Sequence, residues 1–546
     1  MAKNAVLILI DALRYDAVED PNAARLLTPN IYSLMEGGFV RRAIANGCAT
    51  HFALPSVFTQ TFPLDHGGYN NGIRERPKSF VELLKAAGFD THLMAAANAL
   101  GRSMSYERGF NVVHTAADYR YQVGYRIDKT LLYELELAEK GERDRKEATK
   151  IVAKELDLIL KSVEEAVNDT ETTLWPAALR RLNRNMARNC PAERALLARN
   201  PGAVMDKLRK LPTRLYWQGL GKEKIGAAQL FFWRLRESLN WRTRSAALKI
   251  GFPMFPLGSF QVVAREFFGG ICKLVRQHNS PWFYYIHVMD VHDCRSLSRP
   301  FHALCRLKYL PRWLAARRRG KTKRKFLYDS ALMYVDEHIG KFLETLDRLG
   351  LKDDTLIVAT GDHGYHWAES PRSGKSDLGF RSHYEDIDVP ILVSGADIPP
   401  SKGGLLDSMS VAATLLEGLC VASHPSFKGI SAFAEGKDAI ITENAGRGNA
   451  DLSRRDLYFT ITTRTHKLFV LLRGHTIETL DLYDLVNDPR EMNDLSENED
   501  LGPVKKALLG HLFDQRHDLM AARGVTLEDY TSSSPEPQPR LEGMPS

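Results

Sequence analysis

Residues Ala5 to Ile10 form an unbroken apolar run, Ala-Val-Leu-Ile-Leu-Ile, that stops at Asp11. A second run, Leu356-Ile-Val-Ala-Thr360, stops at Gly361-Asp362-His363-Gly364. Short runs of this kind read as strands buried on both faces, as in a parallel sheet covered by helices. In such sheets ligands gather at the carboxyl ends of the strands. A carboxylate there is costly unless something positive meets it. Taken alone, Asp11 reads best as the cap of a following helix, and Asp362-His363 as a turn that Gly361 and Gly364 allow. Two acidic tips at equivalent strand ends change the balance toward a divalent cation, for which carboxylate and imidazole are ordinary ligands.

Around these runs the pattern alternates. Pro29–Glu36 reads as a helix with Thr28 as its cap and Pro29 in the first turn, and Phe39–Ala45 as a strand. Ser79–Ala87 reads as a helix ending at Gly88, and Thr91–Ala95 as the next strand. Strands resume at Trp282–Val288, Thr355–Thr360 and Val389–Ser394. This βαβ rhythm predicts an α/β fold with a mostly parallel central sheet and right-handed crossovers. Between 121 and 280 the texture becomes helical: Leu131–Ala166 has apolar residues at helical spacing, and Trp175–Arg276 is basic and aromatic-rich. Ala439–Leu472 reads as a small antiparallel sheet, with a helix near Val504–Gln515. The expected organisation is a catalytic domain split into 1–120 and 281–435 by a helical, basic cap or arm at 121–280. A C-terminal α+β subdomain follows at 436–530, then a Ser/Pro/Glu-rich disordered tail at 531–546.

A chain of 546 residues suits two or more domains, or one large domain with insertions. The N-terminal apolar run is too short for a secretory signal or a membrane span, and no other apolar stretch reaches the roughly 18 residues a span needs. Six cysteines lie scattered without Cys-x-x-Cys spacing, which argues against a zinc knuckle or a disulfide framework and for a reducing, cytoplasmic setting. The net charge of +7 conceals an asymmetry. Residues 180–280 hold 20 Lys and Arg against 5 acids, and 295–325 hold 12 against none. Such localisation predicts an anionic contact. Trp217, Phe231, Phe232, Trp233 and Trp241 interleave with these charges. A helical cap whose aromatics pack on the core accounts for them more simply than nucleic acid, which is not expected. Peripheral contact with a membrane or a lipid-linked substrate is the alternative partner. Gly251–Gly258 would loop over the site, and the run Arg317–Lys325 would help to bind an acidic substrate such as a glycan.

The order of the motifs resembles the sulfatase-like branch of the alkaline phosphatase superfamily. Asp11-Ala-Leu-Arg-Tyr-Asp16 is similar to that branch's first metal motif, and Thr360-Gly-Asp-His-Gly364 to its second. Ala45–Phe58 is similar to its nucleophile segment. Tyr106–Phe110, His287–His292, His383–Pro390 and Leu482–Leu495 fall where the branch has similar pieces. One departure matters. The Cys-x-Pro-x-Arg string, whose Cys becomes formylglycine, is absent, since Cys48 is followed by Ala49 and Thr50. Thr50-His-Phe-Ala-Leu-Pro55 instead resembles phosphoethanolamine and phosphoglycerol transferases, which use a metal-bound Thr.

The resemblance implies an alkaline-phosphatase-like fold and a metal-dependent hydrolase or transferase acting on a phosphomonoester, phosphodiester or phosphonate through a covalent Thr50 intermediate. Asp11, Thr50, Asp362 and His363 would hold a divalent ion (Zn, Mn or Ca), with His292 and His383 stabilising the transition state. A second ion would draw on Asp290, His292 and His383. A Thr hydroxyl needs such activation, and at a helix start it also meets the positive helix end. Cys48 is the rival nucleophile, without matching spacing. His287 reads as structural, His366 as exposed, and Arg14 as bound either to substrate or to Asp16. The alternatives are a sulfuric ester hydrolase without formylglycine and a non-catalytic binding protein on the same fold.

Overall fold

The computed structural model describes residues 2–97, 100–170, 174–175, 177–250, 262–278, 281–294, 300–316, 322–366, 382–446 and 455–527. The expected loop Gly251–Gly258, the stretch 317–321 of the basic run and the tail 531–546 lie outside these residues, as does the side chain of Trp241.

In chain order the elements that position the site are β1 (Asn4–Ile10), α1 (Pro29–Glu36), β2 (Gly38–Ile44), α2 (Thr50–Thr59), β3 (Asp90–Ala95) and β4 (Val112–Thr115). They continue with α3 (Arg145–Ala166), α4 (Ala264–Leu274), β5 (Trp282–Val288), α5 (Lys323–Arg348), β6 (Thr355–Thr360), β7 (Asp388–Ser394) and β8 (Leu406–Asp407). The eight strands form one sheet in the order β4-β3-β5-β1-β6-β7-β2-β8. All run parallel except β7, which pairs antiparallel with both β6 and β2.

β1 is buried throughout because its apolar residues feed two cores. Val6, Ile8 and Ile10 pack on one face with Tyr284, Ile286, Phe342 and Val335, while Ala5, Leu7 and Leu9 pack on the other with Val57, Phe58 and Val358. That two-residue alternation is the pleat of a strand. Burying each such aliphatic side chain is worth ~1.5–3 kcal/mol, so a one-residue slip of β1 is prohibitive.

Four local expectations are revised. Thr28 does not cap α1; its hydroxyl donates to Ala24 O at 3.2 Å. The cap comes instead from α5, where Asp336 accepts from Asn30 N at 3.0 Å and Ile31 N at 2.8 Å. The helical run Leu131–Ala166 breaks at Gly141, whose φ of +76° only glycine adopts readily, and Asp144 restarts it as the cap of α3. α4, assigned by sequence to the inserted arm, packs Phe267, Phe268 and Ile271 into the central core beside Ile286. In the arm, Phe231 and Phe232 are 61% and 64% exposed rather than packed on the core, while Lys222 sits over Trp233 at 5.1 Å. The helices from 119 to 220 do bury a cluster of their own, including Val123, Leu156, Ile159, Leu197 and Leu208.

The C-terminal part is a four-stranded antiparallel sheet, β9 (Ala439–Asn444), β10 (Leu457–Thr463), β11 (His466–Arg473) and β12 (Thr476–Asp484), in the order β12-β11-β10-β9. Its apolar face closes over the helix Gly502–Gln515 through Leu508, Leu509 and Leu512. β9 also braces the loop after β2: Glu443 N donates to Asn46 O at 2.9 Å and Thr442 Oγ1 to Ala45 O at 2.7 Å. Among the described residues no helix is long and apolar enough to cross a membrane.

Burial pushes the Asp336 carboxyl up to about 6 in spite of the amides of Asn30 and Ile31. Asp336→Ala removes the oxygen that accepts from both N-terminal amides of α1 and is expected to cost about 2 kcal/mol of stability, read as a shift in the denaturant midpoint at unchanged slope.

Candidate active site

Because β7 runs against its neighbours, its first residue lies at the same sheet edge as the last residues of β1, β2, β5 and β6. Segments distant in sequence therefore meet at that edge. β1 and β6 are direct partners, with Leu9 opposite Thr360, so their acidic tips stand side by side.

Asp11 and Asp362 are fully buried. Thr50 Oγ1, at the first residue of α2, donates to Asp11 Oδ2 at 3.0 Å and lies 3.3 Å from His363 Nε2. His363 Nε2 is also 3.4 Å from Asp11 Oδ1 and 3.7 Å from Asp362 Oδ2. His363 Nδ1 donates to Gly364 O at 2.6 Å, which leaves Nε2 for the cluster. Asp362 Oδ1 accepts from Ala12 N at 3.3 Å. His287 completes the group: Nε2 is 3.1 Å from Asp11 Oδ2, and Tyr285 OH is 3.1 Å from its Nδ1. His287 is thus a site residue that its position inside a strand concealed. The only sequence signal was its place near the carboxyl end of β5.

The electrostatics follow from two carboxylates held away from water. Burial alone would raise Asp11, but the field of His292 and the imidazoles of His287 and His363 beside it hold it well below the usual carboxylate range. Burial opposes charge on His363, yet Asp362 and Asp11 push it up to about 9. Against the same burial, Asp11 and Asp293 push His292 up to about 10. Even so, Asp11 Oδ1 and Asp362 Oδ2 are buried and accept no hydrogen bond. Two orphaned carboxylate oxygens beside an imidazole nitrogen and a hydroxyl are a donor set that fits a divalent cation. Ligand atoms of Asp11, His287 and Asp362 lie within 4.8 Å of one another.

The other expected residues are distributed around this cluster. His292 is half-exposed, its Nδ1 3.1 Å from Asp293 Oδ1 and its ring 6.3 Å from that of His363. His383 precedes the short helix Tyr384–Ile387. Its Nδ1 is 2.8 Å from Glu491 Oε2, a carboxylate that also pairs with the buried Lys467. That helix meets the β6 tip through Gly364 N, which donates to Asp386 O at 2.7 Å. Asp290, expected to join His292 and His383 at a second ion, lies against the start of α4. Its Oδ2 accepts from Ala264 N at 2.9 Å at the start of α4, so it braces that helix. Arg14 is committed to Asp16, with Nε 2.9 Å from Oδ1 and Nη2 2.6 Å from Oδ2. His366 Nδ1 lies 3.4 Å from both Glu385 Oε2 and Asp386 Oδ1. Lys129 is a further addition. It lies in a π-helical turn, Ile127–Leu131, and with burial and His363 it holds His51 well below its ordinary value. Single π turns of this kind recur at functional sites, and nothing in the residue order marks one.

Comparison with known proteins agrees with this architecture. The sulfatase family model matches residues 3–166 and 237–419. A choline-sulfatase of Rhizobium meliloti is 28% identical over 203 residues, 35% of this chain and 36% of that protein. An N-acetylglucosamine-6-O-sulfatase of Bacteroides thetaiotaomicron is 25% identical over 200 residues, 33% of this chain and 34% of the relative. The chain thus spans about a third of the length of each. Among solved structures, a 2-O GAG sulfatase superposes with a TM-score of 0.53 at 11% identity, covering 95% of this chain and 93% of that one. The phosphonate monoester hydrolase of Agrobacterium radiobacter gives 0.51 at 14%, covering 94% and 96%. Fold and edge-bound cluster together are those of the sulfatase-like branch of the alkaline phosphatase superfamily. The chain belongs to the sulfatase family.

Burial and the nearby Asp386 push the Cys48 thiol up to about 12, which disfavours it as a nucleophile. In native buffer at pH 8, iodoacetamide is expected to modify the exposed Cys420 well before Cys48, as read by peptide mass mapping.

Proposed function

We propose that this sulfatase-family hydrolase is metal-dependent and cleaves or transfers a phosphoester group through a covalent intermediate on Thr50. The observation that carries the proposal is the position of Thr50 Oγ1, 3.0 Å from Asp11 Oδ2 and 3.3 Å from His363 Nε2. It sits among two buried carboxylate oxygens that lack hydrogen bonds. When bound, a divalent cation (Zn, Mn or Ca) would be held by Asp11, Thr50, Asp362 and His363 and would supply the positive charge that stabilises the Thr50 alkoxide. Thr50 Oγ1 forms the new P–O bond as the bond to the leaving alcohol breaks, and water or a second alcohol then takes the phosphoryl group from Thr50. Thr50 opens α2, so the positive end of that helix favours the attached group. His292, half-exposed beside His363, stabilises the negative charge of the transition state. His383, fixed through Nδ1 by Glu491, offers Nε2 for the same role.

An anionic substrate accords with the surroundings. Tyr328, near the start of α5, donates to Ala12 O at 3.0 Å and accepts from Arg14 N at 2.9 Å. The same helix start carries Lys323, Arg324 and Lys325, and Lys325 helps to lower the Asp16 carboxyl. A sulfate ester is the second reading, favoured by the sulfatase names of the related proteins.

p-Nitrophenyl phosphate, bis-p-nitrophenyl phosphate, a p-nitrophenyl phosphonate and p-nitrophenyl sulfate separate the two readings. Turnover of the phosphorus esters is expected to dominate, and turnover of the sulfate alone would reject the phosphoester assignment. Thr50→Ala is expected to lose at least about a thousandfold in kcat, with partial retention in Thr50→Ser. Full activity in the alanine variant would remove the covalent intermediate. Asp362→Asn is expected to abolish metal retention after dialysis, read by elemental analysis, with a near-native circular dichroism spectrum.

A further inference from the structure

The amino ends of β3 and β5 carry a second cluster on the opposite edge of the sheet, about 20 Å from Asp11 by strand length. Asp90 opens β3 and pairs with Trp282 at the start of β5, while His92 pairs with Tyr284. Asp90 and His92, two residues apart, project from one face of the strand. His278 lies just ahead of β5.

Three potential ligand atoms converge there. His92 Nε2 is 3.0 Å from Asp90 Oδ2, and His278 Nδ1 is 3.4 Å from the same oxygen without making a hydrogen bond to it. The ligand atoms of Asp90, His92 and His278 lie within 4.8 Å of one another. The far side of two of these groups is already held. Asn111 Nδ2 donates to Asp90 Oδ1 at 3.0 Å, and His278 Nε2 is 2.6 Å from Tyr284 OH. This is the outer support that metal-binding imidazoles and carboxylates use to fix orientation and tautomer. His92 is 5% exposed, its ring stacked on Tyr284 at 4.6 Å and on His114 at 5.8 Å. Its Nδ1 and His114 Nε2 are buried without a hydrogen-bond partner. Asp90 retains partial exposure, so an ion has a path from solvent.

We propose that Asp90, His92 and His278 bind one Zn2+ ion through Oδ2, Nε2 and Nδ1, with water completing a tetrahedral shell, at a site separate from the Asp11 cluster. One carboxylate with two imidazoles is a donor set that zinc accepts and that calcium or magnesium does not favour. The role is structural: His278 is where the chain returns from the helical stretch to the central sheet, and the ion ties that return to β3.

The experiment uses the full chain carrying Asp11→Asn and Asp362→Asn, which removes the two carboxylate ligands proposed for the other site. After chelation, Zn2+ alone is titrated, with stoichiometry read by elemental analysis after dialysis and stability by thermal melting. One retained equivalent and a rise in Tm are expected, because an ion that binds only the folded state stabilises it. His278→Gln in this background is expected to weaken Zn2+ binding at least about tenfold, and His92→Gln to do the same. His278 lies outside the strands, so its variant tests the site even if His92→Gln fails to fold. Failure of the background protein to retain Zn2+, or unchanged affinity in the folded His278→Gln protein, would overturn the proposal. Neither result bears on ester turnover, so this test and that of the active site fail separately.

Discussion

Two carboxylates buried side by side at the tips of β1 and β6 are the constraint around which this edge of the sheet is built. Like charges withdrawn from water repel each other and lose hydration, so each needs a positive partner or a directed hydrogen bond. His363 approaches both, His287 approaches Asp11, and the backbone of Ala12 serves Asp362. Ala12 provides that amide from a left-handed conformation, φ +64°, which a non-glycine residue adopts at some cost in energy. The neighbouring turn is as tight: a Cβ on Gly361 would collide with Leu13 O, and one on Gly364 with Glu385 O. Strain and close approach at this edge are offset by the two extensive cores beneath it.

The small C-terminal sheet serves the same edge from the outside. Asn46 Nδ2 donates to Ile441 O at 3.0 Å, which together with the Thr442 and Glu443 contacts holds the loop that leads into Thr50. Glu443 is itself tied to Arg516 at 2.5 Å. Glu491 reaches back to His383 and Tyr384 N. The segment that leads into Thr50 and the helix before β7 are therefore clamped between two sheets, and preorganisation of the cluster depends on both.

Much of the scaffold was legible because its strands are short, apolar and bounded by turn residues. Trp282–Val288 and Thr355–Thr360 fall at their expected positions, and the helix after Ser79 carries its capping box with Glu82. The misreadings share a cause. Thr28 had the right type and position for a cap, but an aspartate about three hundred residues away takes the role. His287 looked like strand filler, and the pleat turns it onto Asp11. Phe231 and Phe232 were expected to cover the core and instead face outward.

Local order by itself determined the elements, the two acidic tips and the threonine at the start of a buried helix, because hydrophobic period, glycine and capping chemistry act over a few residues. Only the tertiary structure decided which tips are neighbours, since strand order brings β1 beside β6 and reverses β7 so that its first residue joins the same edge. Only packing, likewise, brought His287 to Asp11 and Glu491 to His383. Which buried charge meets which donor depends on distances that span hundreds of residues, and no local pattern encodes them.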